Sequence, residues 1–178
     1  MSEPIRVLLV DAPTLVRRGL TALLSRKRRL RVVGAAATGS EALALARFLQ
    51  PDVVVVEPTV PEGGTALVAG LCQEMVEGVV LVLTANRDEA VARRLLQAGA
   101  RGYLDKDCDL DDLVHAIERV RLGELVVGSV GAETVLTCTV GAACETIQAR
   151  VPGHHALAAG SPLRLRLPPP VHLFDAAT

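Results

Sequence analysis

The sequence has few aromatic residues: Phe, Trp and Tyr make up 2% of its 178 residues, and tryptophan is absent. Because 50% of the chain is hydrophobic, valine, leucine and alanine must build the interior. No apolar run reaches the length of a bilayer span, and the N-terminus lacks the apolar stretch of a signal peptide. These absences predict a cytoplasmic protein without membrane association. The net charge of −1 argues against a surface tuned as a whole to nucleic acid.

Closely spaced cysteine pairs are also missing, since no two cysteines form a C-x-x-C motif. We therefore predict reduced, structural cysteines, as is usual in the cytoplasm. Two cysteines and two histidines of the C-terminal segment match no familiar zinc-ligand spacing, so no zinc site is predicted. These residues are Cys138, Cys144, His154 and His155.

What the sequence does contain, from residue 5 to about residue 122, is an alternation of short apolar runs and segments of helical periodicity. Each parallel strand needs a crossover before the next one, and a helix supplies it. The pattern therefore predicts a doubly wound, five-stranded parallel sheet of flavodoxin type, with strand order 2-1-3-4-5 and helices on both faces. The predicted strands cover residues 5–10, 30–37, 53–56, 79–83 and 101–104.

Polar side chains follow four of these predicted strands. Asp11 ends the first strand, and Glu57 ends the third, within the segment DVVVVEPT. Thr84 ends the fourth strand, and Lys106 follows the fifth. The carboxyl ends of parallel strands lie at one edge of a sheet, where the working site of such folds is found. Any one of these residues alone would merely begin a loop, but the four together predict a site.

The composition changes after Leu122. Of 19 basic and 20 acidic residues, only seven lie beyond it, and alanine, glycine, proline, threonine and valine dominate there. We predict a domain over residues 1–122, a linker over 123–136 and an irregular or weakly structured tail over 137–178. Two origins stay open for the tail: a native extension, or the product of a truncated or frame-disrupted gene.

The strand-end residues and their surroundings resemble the receiver domain of bacterial response regulators, particularly of the NarL/LuxR type. The resemblance covers about residues 5–122 and implies two-component phosphorelay signalling, transcription regulation and a histidine kinase as a partner. It implies that Glu57 occupies the phospho-acceptor position, and that Thr84, Tyr103 and Lys106 are the signalling residues. In this family the threonine moves toward the acceptor site and the tyrosine rotates inward. The motifs are IRVLLVDAPTLVRRGLTALL, RVVGAAATGSEALALA, PDVVVVEPTVPEGG, VVLVLTA and LLQAGARGYLDKD.

The chain departs from this family at three points. The family usually has two acidic residues after the first strand, whereas here Asp11 is followed by Ala12, at the position of a direct magnesium ligand. Glutamate replaces the phosphorylated aspartate at Glu57. The helix-turn-helix that normally follows the linker is not recognisable. We therefore expect no cofactor, apart from weak Mg²⁺ binding through Asp11 and Glu57, which stays open.

These departures predict a pseudo-receiver rather than an enzyme. We expect Glu57 to reach Lys106 and Thr84 and to escape efficient phosphorylation. The domain would then be either fixed near one signalling state or governed by something other than phosphate. Three alternatives stay open: a purely stabilising ion pair, a conventional phosphorelay receiver with weakened metal binding, and a haloacid-dehalogenase-like phosphatase. Pro13 argues against the phosphatase, because it stands where that family needs a second aspartate.

A basic run, Arg26 to Arg29 with Arg31, is the one local feature that would suit nucleic acid. No aromatic residues are interleaved for stacking, and a charge run is more often a solvated face. We therefore do not predict direct DNA binding. The expected partners are another protein or a second copy of the chain, bound through the helices of the domain.

Overall fold

Strands and helices alternate along the chain, as the apolar periodicity requires. The computed structural model describes residues 3–127, 133–140 and 145–152. The strands of the main sheet are β1 Ile5–Val10, β2 Leu30–Ala36, β3 Val53–Val56, β4 Val79–Thr84, β5 Gly102–Asp105 and β6 Val126–Val127. The helices are α1 Thr14–Leu24, α2 Gly39–Leu49, α3 Gly64–Glu74, α4 Glu89–Gln97 and α5 Leu110–Arg121.

The main sheet has the order β2-β1-β3-β4-β5-β6, with every neighbouring pair parallel. The predicted fold class and the order of its first five strands are therefore confirmed. The sheet has one strand more than predicted, because β6 pairs with the first two residues of β5. This two-residue strand lies at the start of the segment predicted to be a linker.

The valine run of β3 is buried on both faces of the sheet. Val54 and Val56 pack on the side of the sheet that is covered by α2, α3 and α4. Val53 and Val55 pack on the opposite side, against residues of α1 and α5. Because successive side chains of a strand point to opposite faces, a strand covered on both sides must be apolar throughout. This burial fixes the position of the residues that follow β3.

Helix α1 contacts the sheet through a narrow apolar face. Leu24 is fully buried, and Leu20 packs against the same cluster. Leu15, Val16 and Leu23, by contrast, are exposed. Leu20 and Leu24 lie four residues apart and hence on the same side of the helix, so this side of α1 faces the sheet.

A second sheet lies beyond the domain, where β7 Glu133–Val140 pairs antiparallel with β8 Glu145–Pro152. The prediction of irregular structure from residue 137 is corrected for these two strands. Their β-branched residues favour strands, a signal that the Ala/Gly/Pro-rich texture of the whole tail obscured. Residues 128–132, 141–144 and 153–178 lie outside the described residues, as do most of the zinc candidates. The domain boundaries and the absence of a helix-turn-helix therefore stay predictions.

The loop that carries Glu57 is packed tightly against the start of α2. The N–H of Gly39 donates a hydrogen bond of 2.8 Å to the carbonyl of Pro61. A Cβ atom at Gly39 would lie only 2.2 Å from the carbonyl oxygen of Glu62. Only glycine allows this approach of one backbone to the other, so the segment after β3 is held in place by contact with α2.

A pair of glycine substitutions tests this contact. We expect Gly39→Ala to lower the free energy of unfolding by about 1–3 kcal/mol, because the new methyl group overlaps backbone atoms. Gly19→Ala is the matched control, since a Cβ there meets nothing within 4 Å. It should stabilise α1 by about 0.5–1 kcal/mol, because glycine weakens a helix interior. Urea denaturation followed by circular dichroism measures both, and equal effects would contradict the packing argument.

Candidate functional site at the carboxyl edge of the sheet

Backbone hydrogen bonds align the site residues just beyond the ends of their strands. The N–H of Glu57 donates to the carbonyl of Val10 over 2.8 Å, so β3 stays in register with β1 one residue past its end. In the same way the N–H of Lys106 donates to the carbonyl of Thr84 over 3.0 Å. These bonds hold Asp11, Glu57, Thr84 and Lys106 at one edge, as their positions after the strands predicted.

The carboxylate of Glu57 is buried, with 7% of the residue exposed, yet both of its oxygens are bonded. Oε1 accepts hydrogen bonds from the Thr84 hydroxyl at 2.9 Å and from the Thr59 N–H at 3.2 Å. Oε2 lies 3.0 Å from the ammonium group of Lys106. The structure thus contains both contacts expected from the sequence. They explain how a strand buried on both faces can end on a charged residue.

Lys106 also contacts a second carboxylate, which the sequence did not predict. Its Nζ donates to Oδ2 of Asp11 over 2.5 Å, so one ammonium group bridges Asp11 and Glu57. Burial by itself lowers the pKa of Lys106, but the hydrogen bonds and charges of the two carboxylates outweigh it and leave the pKa raised. With two carboxylates and one ammonium, the cluster carries one net negative charge.

Arg17 is a site residue that sequence reasoning missed. Its guanidinium donates to the carbonyl oxygens of Asp11 and Ala12, at 2.5 and 2.8 Å. It therefore fixes the backbone of the loop after β1 and places a positive charge beside the acidic pair. Among the described residues, Oδ1 of Asp11 is the buried side-chain atom that has no hydrogen-bond partner.

Tyr103 occupies an inward position next to this cluster, with 7% of the residue exposed. Its hydroxyl donates to the carbonyl oxygen of Asn86. The N–H of Asn86 in turn donates to the hydroxyl oxygen of Thr84 over 3.2 Å. Burial, followed by the nearby carboxylates of Glu57 and Asp105, raises the pKa of the Tyr103 phenol. A continuous chain of contacts therefore links Glu57 to Tyr103.

Next to Asn86, Arg87 forms ion pairs with Asp105 and Asp107. The hydrogen bond from the Asp107 N–H, and then Arg87 itself, lower the pKa of Asp105 against the opposing effect of burial. The same pairing raises the pKa of Arg87. No sequence motif indicated this contact, because Arg87 lies inside a loop and not at the end of a predicted strand.

The oxygen atoms of the site do not suit a tightly bound magnesium ion. Mg²⁺ requires near-octahedral oxygen coordination, usually including one or two carboxylates. Ala12 has no side-chain oxygen, and Lys106 takes one oxygen from each of Asp11 and Glu57. Among the residues that the structure describes, Oδ1 of Asp11 is left as the carboxylate oxygen without a partner. Within the part of the chain that the structure describes, no three acidic, cysteine or histidine side chains cluster as metal ligands do.

The basic run lies in the turn between α1 and β2. Two of its members are paired with α5: Lys27 with Asp111 at 2.6 Å, and Arg29 with Glu118 at 3.4 Å. Arg26, Arg28, Arg29 and Arg31 are exposed, whereas Lys27 is half-buried. Separately, none of the helices in the described residues is both long and apolar enough to cross a membrane.

A family model for the response regulator receiver domain matches residues 7–118, which include every residue of the site described above. The chain belongs to this family. The response regulator GacA of Pseudomonas aeruginosa is 40% identical over 121 residues, which cover 67% of this chain and 56% of GacA. The nitrate/nitrite response regulator NarL of Escherichia coli is 31% identical over 126 residues, which cover 70% of this chain and 58% of NarL.

Solved receiver domains share the fold. The signal receiver domain of NarL from Mycobacterium tuberculosis aligns with a TM-score of 0.66 at 31% identity, over 69% of this chain and all of that domain. A LuxR-family response regulator from Aurantimonas sp. SI85-9A1 aligns with a TM-score of 0.66 at 34% identity, over 70% of this chain and 89% of that one. The predicted relationship to NarL/LuxR-type receivers is confirmed. The match spans little more than half the length of GacA and NarL.

The bridging ammonium is testable because the chain has only two lysines. Lys106→Met leaves two buried carboxylates without their cation and should cost about 2–3 kcal/mol at pH 7. This is less than for a fully enclosed pair, because water reaches the lysine. Lys27→Met, which breaks a surface pair, should have little effect. Urea denaturation of both variants measures the difference, and equal losses would contradict the bridging role.

The free energy of unfolding of the wild type, compared with that of Lys106→Met, should also depend on pH. Because the folded-state pKa of Lys106 is raised above its ordinary value of 10.5, its contribution is fully present below that value. It is lost as the pH rises through the folded-state pKa. The stability difference between the wild type and Lys106→Met should therefore shrink above pH 10.5. A difference that grows with alkaline pH would reverse the sign of this linkage.

Proposed function

We propose that this chain is a pseudo-receiver of two-component-type signalling, in which Glu57 supplies permanently the negative charge that a phosphoryl group supplies transiently in other receivers. The observation that carries this proposal is the hydrogen bond from the Thr84 hydroxyl to Glu57, at 2.9 Å. In the family, movement of this threonine toward the acceptor site accompanies signalling. Here the contact is made by the unmodified side chain.

The length of the side chain supports this role. Glutamate is one methylene longer than aspartate, which adds about 1.5 Å of reach. Glu57 uses this reach to meet Thr84 and Lys106 directly. The inward position of Tyr103, hydrogen-bonded to Asn86, agrees with the same signalling state. A fixed charge at this point biases the switch toward that state in the absence of phosphate.

Three features of the site oppose phosphorylation of Glu57. Both carboxylate oxygens are already bonded, so the nucleophile would have to give up Lys106 or Thr84 before it could attack. The longer side chain shifts the attacking oxygen, and a displacement of about 1 Å can cost about a hundredfold in rate. The oxygens that remain do not suit tight binding of Mg²⁺, which neutralises phosphate charge in such reactions. We therefore propose no resident cofactor and at most weak Mg²⁺ binding.

The chain acts, on this proposal, by binding another protein rather than by catalysis. Its relatives are response regulators, some of which are named as nitrate/nitrite response regulators. We propose an indirect role in transcription control in the cytoplasm, through a histidine kinase, another protein partner or a second copy bound at the helices of the receiver domain. The basic run is proposed as a solvated face and not as a DNA-binding site.

Phosphorylation is tested by intact-mass measurement after incubation with acetyl phosphate and Mg²⁺. The wild type should show no stoichiometric gain of a phosphoryl group, because Glu57 is occupied and Ala12 provides no ligand. The double variant Ala12→Asp with Glu57→Asp restores the family's acidic residues and should gain one group. Stoichiometric labelling of Glu57 in the wild type would instead support the competing function, a conventional phosphorelay receiver.

The fixed state is tested with the fluorescence of Tyr103, the chain's single tyrosine in the absence of tryptophan. Glu57→Asp keeps the charge but withdraws it by about 1.5 Å. We expect acrylamide to quench Tyr103 more strongly in this variant, because Thr84 loses its acceptor. Glu57→Gln keeps the length without the charge and should increase quenching as well. Quenching equal to the wild type in both variants would refute a fixed state.

A further inference from the structure

Arg87 joins the loop after β4 to the segment at the end of β5 through ion pairs. Arg87 lies in the loop between β4 and α4 and projects across to the end of β5. Its Nε bonds to the carboxylate of Asp105, and its terminal NH2 group lies 2.6 Å from the carboxylate of Asp107. One guanidinium thus holds two carboxylates that follow Tyr103 by two and four residues. Arg87, Asp105 and Asp107 are called the arginine latch below.

The arginine latch constrains Asn86, the residue before Arg87. Asn86 provides the carbonyl oxygen that accepts the Tyr103 hydroxyl, and its N–H donates to Thr84 over 3.2 Å. Asn86 is bonded covalently to Arg87, so the position of the guanidinium constrains the backbone that both switch residues use. A shift of the loop away from β5 would remove the Tyr103 acceptor and loosen Thr84 together.

The charge of Arg87 is a second reason to expect that it holds the β4–α4 loop in place. Burial is the main reason that the pKa of Tyr103 is raised, and the carboxylates of Glu57, Asp105 and Asp88 raise it further. Asp105 is among them, and its side chain is only 13% exposed. Arg87 compensates the charge of Asp105 from the solvent side, with a side chain that is 69% exposed. Without this cation, the partly buried carboxylate would favour more water around it and a more open loop.

We propose that Arg87 is a positioning residue for the signalling residues Thr84 and Tyr103. Arg87 closes the β4–α4 loop over Tyr103 and holds Tyr103 in its inward position independently of phosphate. This inference rests on the proposed pseudo-receiver function and names a regulatory element of the same site. Because the latch is a partly exposed ion pair, it also makes the inward state sensitive to salt.

Acrylamide quenching of Tyr103 is the test, applied to the full chain. We expect Arg87→Gln to lower the ratio of inward to outward tyrosine by up to about fivefold, which raises the quenching constant. Arg93→Gln removes the same charge from an exposed position on α4 and should leave quenching unchanged. Arg87→Lys keeps the charge and should restore part of the protection. If Arg87→Gln merely disturbed local packing, the charge restored in Arg87→Lys would not reduce the quenching of Tyr103.

Two further measurements complete the test. Asp107→Asn removes one arm of the latch at a carboxylate that is 81% exposed, so it retains the fold and should give an intermediate effect. Rising NaCl concentration should increase the quenching of Tyr103 in the wild type, because salt screens the ion pairs of Arg87. In Arg87→Gln, quenching should not change with NaCl concentration.

The outcomes separate this inference from the proposed function. A buried tyrosine in the wild type that stays buried in both Arg87→Gln and Asp107→Asn would overturn the latch and leave the fixed state intact. An accessible tyrosine in the wild type would overturn the fixed state itself, and with it the role of Arg87. Increased quenching in Arg87→Gln and Arg93→Gln alike would attribute the effect to net charge and also overturn the latch.

Discussion

The ammonium group of Lys106, held between the carboxylates of Asp11 and Glu57, is the interaction on which the site depends. Two carboxylates buried side by side are unfavourable unless a cation compensates them. Lysine suits this task because its compact charge can meet both acceptors at once. Once it bridges them, Lys106 occupies one oxygen of each carboxylate and leaves fewer for a metal ion, so the same contact stabilises the fold and shapes the chemistry.

The proposed function changes how a receiver can signal. A ligand or modification shifts a conformational equilibrium only by its difference in affinity for the two states. On the proposed function, the charge is part of the chain, so the bias is constant and the signalling state does not depend on a phosphoryl donor. Thr84 accordingly contacts Glu57, and Tyr103 lies inward. On the same proposal, regulation of the domain comes from contacts that alter the loop after β4, where Arg87 lies.

The sheet beneath the site provides the rigidity that these contacts need. The four valines of β3 are buried on both faces, and β1 and β4 flank them with similar apolar side chains. Small branched residues fill this interior closely in the near absence of aromatic residues. The site is therefore built on strand ends whose backbone cannot shift easily, while its adjustable parts lie in the loops.

The sequence by itself determined the β/α order, the edge on which Asp11, Glu57, Thr84 and Lys106 meet, and the reach of Glu57 toward Lys106. Strand direction and side-chain length dictate these features, and both are local properties of the chain. Tertiary structure decided the rest: the second bond of Lys106, the exposed face of α1, the β7–β8 pair and the Arg87 latch. These depend on the distance between separate β/α units, on crossing angles and on rotamers, none of which leaves a periodic signal in the sequence.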